Sequence, residues 1–197
     1  MKKVGFMLLA AFILTAVSCK EGNKKADEKM NDEKEMQTEE VEVEEVMAKN
    51  ISFALESKSG STATGKVSFT QDGDMVTLNA NISGLEPGTH AIHIHENADC
   101  SSEDGKSAGG HWNPTFTDHG KWGDAGGYHK GDIGNFEADE NGNGSVSMQT
   151  DEWCIGCGDE KKDIVGKSII VHQGVDDFTS QPSGNAGSRV SCGGIIQ

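Results

Sequence analysis

The sequence contains few aromatic residues and little proline. It has 3 prolines, 1 tyrosine and 6% aromatic residues, against 26 glycines. This composition suits short strands joined by tight turns better than a helical bundle. Once a targeting segment and a tail are set aside, the 197 residues leave room for one domain of about 150 residues. We therefore expect a single all-β domain.

Positive charge is also scarce. The chain has 17 Lys and Arg residues against 32 Asp and Glu residues, a net charge of -15, and no run rich in basic residues. Phosphate binding needs a basic face, so no nucleic-acid partner is expected. An anionic substrate would have to be attracted by charges close to its binding site.

One extended apolar run is present, and it lies near the N-terminus over residues 4–17, directly after two lysines. The run is short for a membrane span and fits a secretory signal. It ends in Ala16-Val17-Ser18-Cys19, which resembles the bacterial lipobox, in which the cysteine is acylated and becomes the mature N-terminus. An ordinary cleaved signal with an incidental cysteine is the alternative.

We therefore predict a lipoprotein signal segment over residues 1–19, with lipidation at Cys19. The lipid bilayer would then be a partner of the chain through the acylated Cys19. The predicted location is the bacterial cell envelope, with the protein lipid-anchored and facing the periplasm or the cell exterior.

Residues 20–49 contain eleven acidic residues and six lysines but no aromatic residue. Pairs of Glu and Lys could support transient helix, yet the segment has no apolar stripe to bury. The composition predicts an acidic, disordered linker that separates the domain from a lipid surface.

From residue 50 onward, apolar residues alternate with polar ones. Ile51, Phe53 and Leu55 follow this period, and Val76, Leu78, Ala80 and Ile82 repeat it. Glycine-containing turn signals separate these runs. The pattern predicts a domain over residues 50–197 built as a sandwich or barrel of short antiparallel strands.

All seven histidines fall between His90 and His172. On a strand, His93 and His95 would lie on one face about 6.6 Å apart, while Ile92 and Ile94 would face the core. An isolated His-x-His pair could equally be hydrogen-bonded surface or core residues. Here, however, further metal-ligand residues follow it: His111, His119, His129, Asp132 and His172.

At these residues the chain closely resembles the copper/zinc superoxide dismutases over about residues 50–197. The matching segments are His93-Ile94-His95, Gly109-Gly110-His111-Trp112-Asn113-Pro114, His129-Lys130-Gly131-Asp132-Ile133-Gly134-Asn135, Val171-His172 and Gly184-Asn185-Ala186-Gly187-Ser188-Arg189. The resemblance implies an all-β, antiparallel Greek-key sandwich or barrel with long metal-binding and active-site loops. It also implies an oxidoreductase that converts superoxide to oxygen and hydrogen peroxide by alternately reducing and oxidising copper, and so protects the cell envelope.

The resemblance implies two metal ions, copper and zinc, that share one ligand. The copper ligands would be His93, His95, His111 and His172. The zinc ligands would be His111, His119, His129 and Asp132. Imidazole nitrogens suit copper, and a carboxylate beside three imidazoles completes a closed zinc site.

Three further roles follow from the resemblance. His111 would also act as a catalytic proton donor, and Asp176 would orient one copper ligand and one zinc ligand through hydrogen bonds. Arg189 would dock the superoxide anion beside copper. As alternatives, Asp176 could be an ordinary loop acid and Arg189 could form a surface ion pair.

The resemblance also pairs Cys100 with Cys192 in a disulfide. Cys154-Ile155-Gly156-Cys157 departs from the common family pattern. We predict a second disulfide between Cys154 and Cys157, while half of a zinc-ribbon site and a redox pair stay open as alternatives.

A non-catalytic copper carrier or scavenger on the same scaffold is the alternative function. The presence of every metal-ligand position together with Asp176 and Arg189 favours the enzyme. Either a monomer or a homodimer is compatible with the sequence.

Overall fold

The computed structural model describes residues 48–197. The predicted signal segment over residues 1–19, and the predicted linker over residues 20–49 except for its end, lie outside the described residues. The described part contains eight β-strands and one short 3-10 turn, Lys106–Ala108. The strands are β1 (Lys49–Ser57), β2 (Thr64–Asp72), β3 (Met75–Ser83), β4 (Gly88–His95), β5 (Gly134–Ala138), β6 (Gly144–Thr150), β7 (Ser168–His172) and β8 (Arg189–Gly194).

The strands close into one barrel in the order β1-β2-β3-β6-β5-β4-β7-β8. Every neighbouring pair is antiparallel. The chain crosses from β3 to β4, so β3 pairs with β6, and β4 lies between β5 and β7. This arrangement is a Greek key. The predicted all-β, antiparallel Greek-key fold is confirmed.

The alternating sequence pattern produces the barrel core. On β3, Val76, Leu78, Ala80 and Ile82 are all buried, and the residues between them are exposed or half-buried. Successive side chains of a strand point to opposite faces, so this alternation places one face of β3 inside the barrel. The same core includes Trp153, which is 1% exposed.

Strand β4 is buried on both of its faces. All six residues from His90 to His95 are buried. Ile92 and Ile94 belong to the barrel core, so His93 and His95 point to the other face. That face would meet water if the loops over residues 96–133 and 173–188 did not cover it. The barrel therefore supplies a rigid strand, and the loops enclose its histidines.

Strand β7 brings one more histidine to this face. Ile92 pairs with Val171 in the antiparallel register of β4 and β7. His172, the next residue, therefore projects on the same side as His93 and His95. The register of β7 against β8 shifts between Val171 and His172, where β7 ends. His172 therefore lies where β7 leads into the loop over residues 173–188.

Both predicted disulfides are present. Cys100–Cys192 joins the loop over residues 96–133 to β8 across a sequence separation of 92, whereas Cys154–Cys157 spans a separation of 3. In the chain-entropy model, the first bond stabilises the fold by about 4–5 kcal/mol and the second by only about 2 kcal/mol. The long bond therefore holds the loop over residues 96–133 against the barrel, and it stabilises the fold more than the short bond does.

No helix among residues 48–197 is both long enough and apolar enough to span a membrane.

Candidate metal centre

The structure brings the predicted ligand residues together in two adjacent clusters. In each cluster one nitrogen or oxygen atom per residue lies within 4.8 Å of the corresponding atoms of the other residues. All of these residues are buried. The first cluster contains His93, His95, His111 and His172. The second contains His111, His119, His129 and Asp132.

The two clusters draw on different parts of the fold. His93 and His95 lie on β4, and His172 ends β7, so the barrel fixes most of the first cluster. The loop over residues 96–133 supplies the whole second cluster. His111 belongs to both clusters, and its backbone forms an isolated antiparallel bridge with His95. The first cluster is thus largely part of the barrel, while the second depends on how the loop closes.

Hydrogen bonds fix which nitrogen of each ring in the first cluster is free. Nδ1 of His95 donates to the carbonyl oxygen of Gly109 at 3.0 Å. Nδ1 of His172 donates to the carbonyl oxygen of Gly187 at 3.5 Å. The two Nε2 atoms of these rings are 3.4 Å apart. Because a neutral imidazole carries one proton, each Nε2 is left with a lone pair directed into the cluster.

His93 has the opposite arrangement. Its Nε2 donates to Oδ2 of Asp176 at 2.8 Å, and this leaves Nδ1 as the free nitrogen. Nδ1 of His93 and Nε2 of His111 are buried and have no hydrogen-bond partner. Burial lowers the pKa of both His95 and His172 well below 6.5, so both rings are neutral at pH 7. Neutral rings with free lone pairs are competent metal ligands.

The second cluster forms around the buried carboxylate of Asp132. Its oxygens lie 2.9 Å from Nδ1 of His111, 2.9 Å from Nδ1 of His119 and 3.3 Å from Nδ1 of His129. The backbone N–H of His129 donates to the same carboxylate at 2.8 Å. Burial opposes ionisation of Asp132, but the three histidines and this backbone N–H outweigh it and hold its pKa well below the usual range. The cluster therefore contains a permanent negative charge.

These atoms fit two metal ions. Among residues 48–197, four buried side-chain nitrogens lack a hydrogen-bond partner: Nδ1 of His93, Nε2 of His111, Nδ1 of His119 and Nδ1 of His129. Buried polar atoms without partners are rare in folded proteins and cost about 1–3 kcal/mol each. Cations coordinated by these nitrogens would remove that cost. Four imidazoles suit copper, and three imidazoles with one carboxylate suit zinc.

Asp176 connects the two clusters through a single carboxylate. Its Oδ2 accepts from Nε2 of His93 at 2.8 Å, and its Oδ1 accepts from Nε2 of His119 at 2.9 Å. Burial opposes the charge of His119, yet the carboxylates of Asp132 and Asp176 raise the pKa of this ring to about 9. A cation that binds Nδ1 of His119 would therefore displace the second proton of this ring. Asp176 therefore accepts a hydrogen bond from one ring of each cluster.

Three neighbouring residues that the sequence analysis left without a role hold this arrangement. Asn135 accepts the backbone N–H of Asp176 at 2.8 Å, and Gln181 accepts that of His119 at 2.9 Å. At Gly184, which has a φ of 66°, a Cβ would lie 2.7 Å from Nε2 of His119. Gly184 and Asn135 stand within the segments that carry the resemblance, whereas Gln181 has no sequence signal.

Arg189 lies beside the first cluster. Its guanidinium donates to the carbonyl oxygen of Gly105 at 2.8 Å, and it lines a cavity of about 630 Å³ together with His95, His111 and His172. Among the described residues, no carboxylate lies within ion-pairing distance of this arginine. The cation therefore remains available to an anion that enters the cavity.

The chain is similar to known proteins over most of its described length. Residues 63–195 match the family model described as copper/zinc superoxide dismutase. An extracellular copper-zinc superoxide dismutase of Caenorhabditis elegans is 35% identical, over 73% of this chain and 67% of that protein. A copper chaperone for superoxide dismutase of Rattus norvegicus is 33% identical, over 76% of this chain and 54% of that protein.

One solved structure illustrates the likeness of the fold. A double mutant of a SOD-like protein from Bacillus subtilis superposes with a TM-score of 0.65 at 30% sequence identity. The match covers 75% of this chain and 97% of that chain.

We predict that Asp176→Asn weakens binding of both copper and zinc about 10- to 100-fold, the range typical when a group that orients a ligand ring is lost. An asparagine offers only one acceptor oxygen, so it cannot receive the protons of both His93 and His119. Competition with chelators measures both affinities. The matched control is Asp177→Asn, since the Asp177 carboxylate contacts Ser180 and Thr179 instead of a ligand ring. Equal losses in the two variants would contradict the orienting role.

Proposed function

Because this chain belongs to the copper/zinc superoxide dismutase family, we propose that it dismutes superoxide in the cavity beside Arg189. Two superoxide anions and two protons give one dioxygen and one hydrogen peroxide. The observation that carries the proposal is an unpaired guanidinium in the same cavity as His95, His111 and His172. A small anion that enters this cavity meets a fixed cation and the exposed side of a metal-ligand cluster.

We assign seven ligand residues to the two metals. Copper would be held by Nδ1 of His93 and by Nε2 of His95, His111 and His172. Zinc would be held by Nδ1 of His111, His119 and His129 and by the carboxylate of Asp132. When bound, copper supplies one-electron redox chemistry and zinc supplies structure and fixed positive charge. The free lone pairs and partnerless nitrogens of these rings support the assignment.

The protein's own groups would bind the anion and deliver protons. Arg189 is held by the carbonyl oxygen of Gly105, so its guanidinium is oriented before the anion arrives. Nε2 of His111 has no hydrogen-bond partner among the described residues, so whenever it does not hold copper it could carry the proton that the forming peroxide requires. Burial, followed by the neighbouring His93, lowers the pKa of His111 to about 4 despite the opposing effect of Asp132.

A non-catalytic copper carrier is the second candidate, and the 33% identity with a copper chaperone favours it. A carrier needs ligands that release the metal, but it needs no anion-binding cation at an open cavity. The unpaired Arg189 favours the enzyme.

We also propose that the protein works at the bacterial cell envelope, anchored to lipid through Cys19. The apolar run that ends at this cysteine supports the proposal. The two disulfides support an oxidising compartment.

We predict that the copper- and zinc-loaded protein has copper-dependent dismutase activity and that Arg189→Ala lowers kcat/KM for superoxide about tenfold, because local positive charge speeds anion capture. Arg189→Lys should keep part of the activity, because lysine retains the positive charge but lacks the planar guanidinium and its paired N–H donors. Pulse radiolysis measures the rates. Lys66→Ala is the control: it removes the same charge from β2, which pairs with neither β4 nor β7. Tight metal binding without turnover would instead support the carrier.

We predict that expression of the full chain in a bacterial host places the protein in the detergent-rich phase of a phase-separation experiment. Cys19→Ala should move it to the aqueous phase, because the acylation site is lost. Cys157→Ala is the control, since it also replaces one cysteine with alanine but leaves Cys19 in place. If both variants partition like the unaltered protein, the lipid anchor is wrong.

A further inference from the structure

The turn Cys154-Ile155-Gly156-Cys157 lies between β6 and β7 and takes no part in the two histidine clusters. Cys154 is buried, with 6% of its surface exposed, and Cys157 is exposed. One oxygen of the Asp163 carboxylate lies within 4.8 Å of both sulfur atoms. Two sulfurs and a carboxylate are therefore gathered at one accessible place on the surface.

The first half of this turn is held without the S–S bond. The backbone N–H of Cys154 donates to the carbonyl oxygen of Lys162 at 2.8 Å, and that of Ile164 donates back to the carbonyl oxygen of Cys154 at 3.1 Å. The side chain of Ile155 is fully buried in the barrel core. The backbone N–H of Ile155 also donates to the side chain of Gln71 at 2.7 Å. These contacts fix Cys154 against the barrel.

The second half is held by the Asp163 carboxylate. It accepts the backbone N–H groups of Gly156 at 2.9 Å and Gly158 at 2.8 Å, the two residues on either side of Cys157. The backbone N–H of Val165 donates to it at 3.1 Å. The position of Cys157 is therefore also fixed by hydrogen bonds. Breaking the S–S bond would leave both sulfurs close together.

The short disulfide differs in this respect from Cys100–Cys192. The long bond connects a loop to a strand, and Cys192 is fully buried. The short bond closes a turn that other contacts already hold, and one of its two residues, Cys157, is exposed. A thiolate can therefore reach Cys157 more easily than the half-buried Cys100 or the buried Cys192.

We propose that the Cys154–Cys157 bond opens by exchange with an external dithiol, and that the resulting thiol pair binds one copper(I) ion. A thiolate of the dithiol attacks Sγ of Cys157 and forms a mixed disulfide, and Cys154 leaves as a thiolate that takes up a proton. The second thiol of the dithiol then displaces Cys157. Two electrons have passed from the dithiol, which becomes a disulfide, to the cysteine pair.

The donor set favours copper(I) over zinc. Thiolate sulfur is a soft ligand that selects copper(I), which two sulfurs can bind alone, whereas zinc takes four ligands. The Asp163 carboxylate already accepts three backbone N–H groups, so little of its capacity is left to complete a zinc site. Its charge still favours a bound cation. Binding releases the two thiol protons as both sulfurs coordinate the ion.

The first test is the selectivity of reduction. The full-length, metal-loaded protein is treated with increasing dithiothreitol and alkylated, and the modified peptides are identified by mass spectrometry. Cys154 and Cys157 should be alkylated at a dithiol concentration at least tenfold below the one that opens Cys100–Cys192. Opening of both bonds at the same concentration would overturn the proposal.

The second test is copper(I) binding without oxygen, with bathocuproine disulfonate as the competing chelator. The selectively reduced protein should bind one equivalent of copper(I) more than the double variant Cys154→Ser/Cys157→Ser, which keeps every other cysteine. The single variant Cys157→Ser should lose at least tenfold in affinity, and excess zinc should not displace the ion. Equal binding by all three proteins, or displacement by zinc, would overturn the copper(I) site.

Both variants should keep their histidine-bound copper and zinc. Their unfolding midpoints should fall by only a few degrees, because the lost bond closes only a short loop and the Asp163 contacts remain. Dismutation by the variants separates this proposal from the proposed function. If the variants still dismute superoxide but no longer bind the extra copper(I), the cysteine site is confirmed and is separate from dismutation. If the unaltered protein binds the extra copper(I) but does not dismute superoxide, the site stands and the proposed enzyme fails.

Discussion

The metal centre depends on where the single proton of each buried imidazole lies. A neutral ring can coordinate a cation only through its unprotonated nitrogen, so a fixed acceptor on one side of the ring selects the ligand atom on the other. Asp176 does this for His93 and His119 simultaneously, and backbone carbonyl oxygens do it for His95 and His172. The loops thus do more than cover the histidines, because they determine which nitrogen each ring presents.

This constraint explains why the barrel strands and the loops carry different residues of the two clusters. Strands β4 and β7 place His93, His95 and His172 on one rigid face, whereas the loop over residues 96–133 carries Asp132 and the rest of the second cluster. A loop can enclose such a cluster only if a bond or contact fixes the loop against the barrel. The Cys100–Cys192 bond connects the loop that carries the second cluster to β8, the strand that begins at Arg189.

Much of the fold could be predicted from local patterns. The alternation of Val76, Leu78, Ala80 and Ile82 determines a strand because the two faces of a sheet alternate along the chain. His-x-His spacing on such a strand predicts shared ligation for the same reason. Neither pattern predicts Gln181, which holds the backbone of His119 across 62 positions of sequence. Such contacts arise only when two loops have closed on each other, and glutamine is too common in loops to mark them.

We propose that His111 connects two metals, each bound to a separate cluster. Anomalous X-ray diffraction from crystals of the loaded protein, recorded on either side of the copper and zinc absorption edges, tests it most directly. We expect one copper peak among His93, His95 and His172, one zinc peak among His119, His129 and Asp132, and the His111 ring between the two. A single mixed peak, or a metal that the His111 ring does not contact, would contradict it.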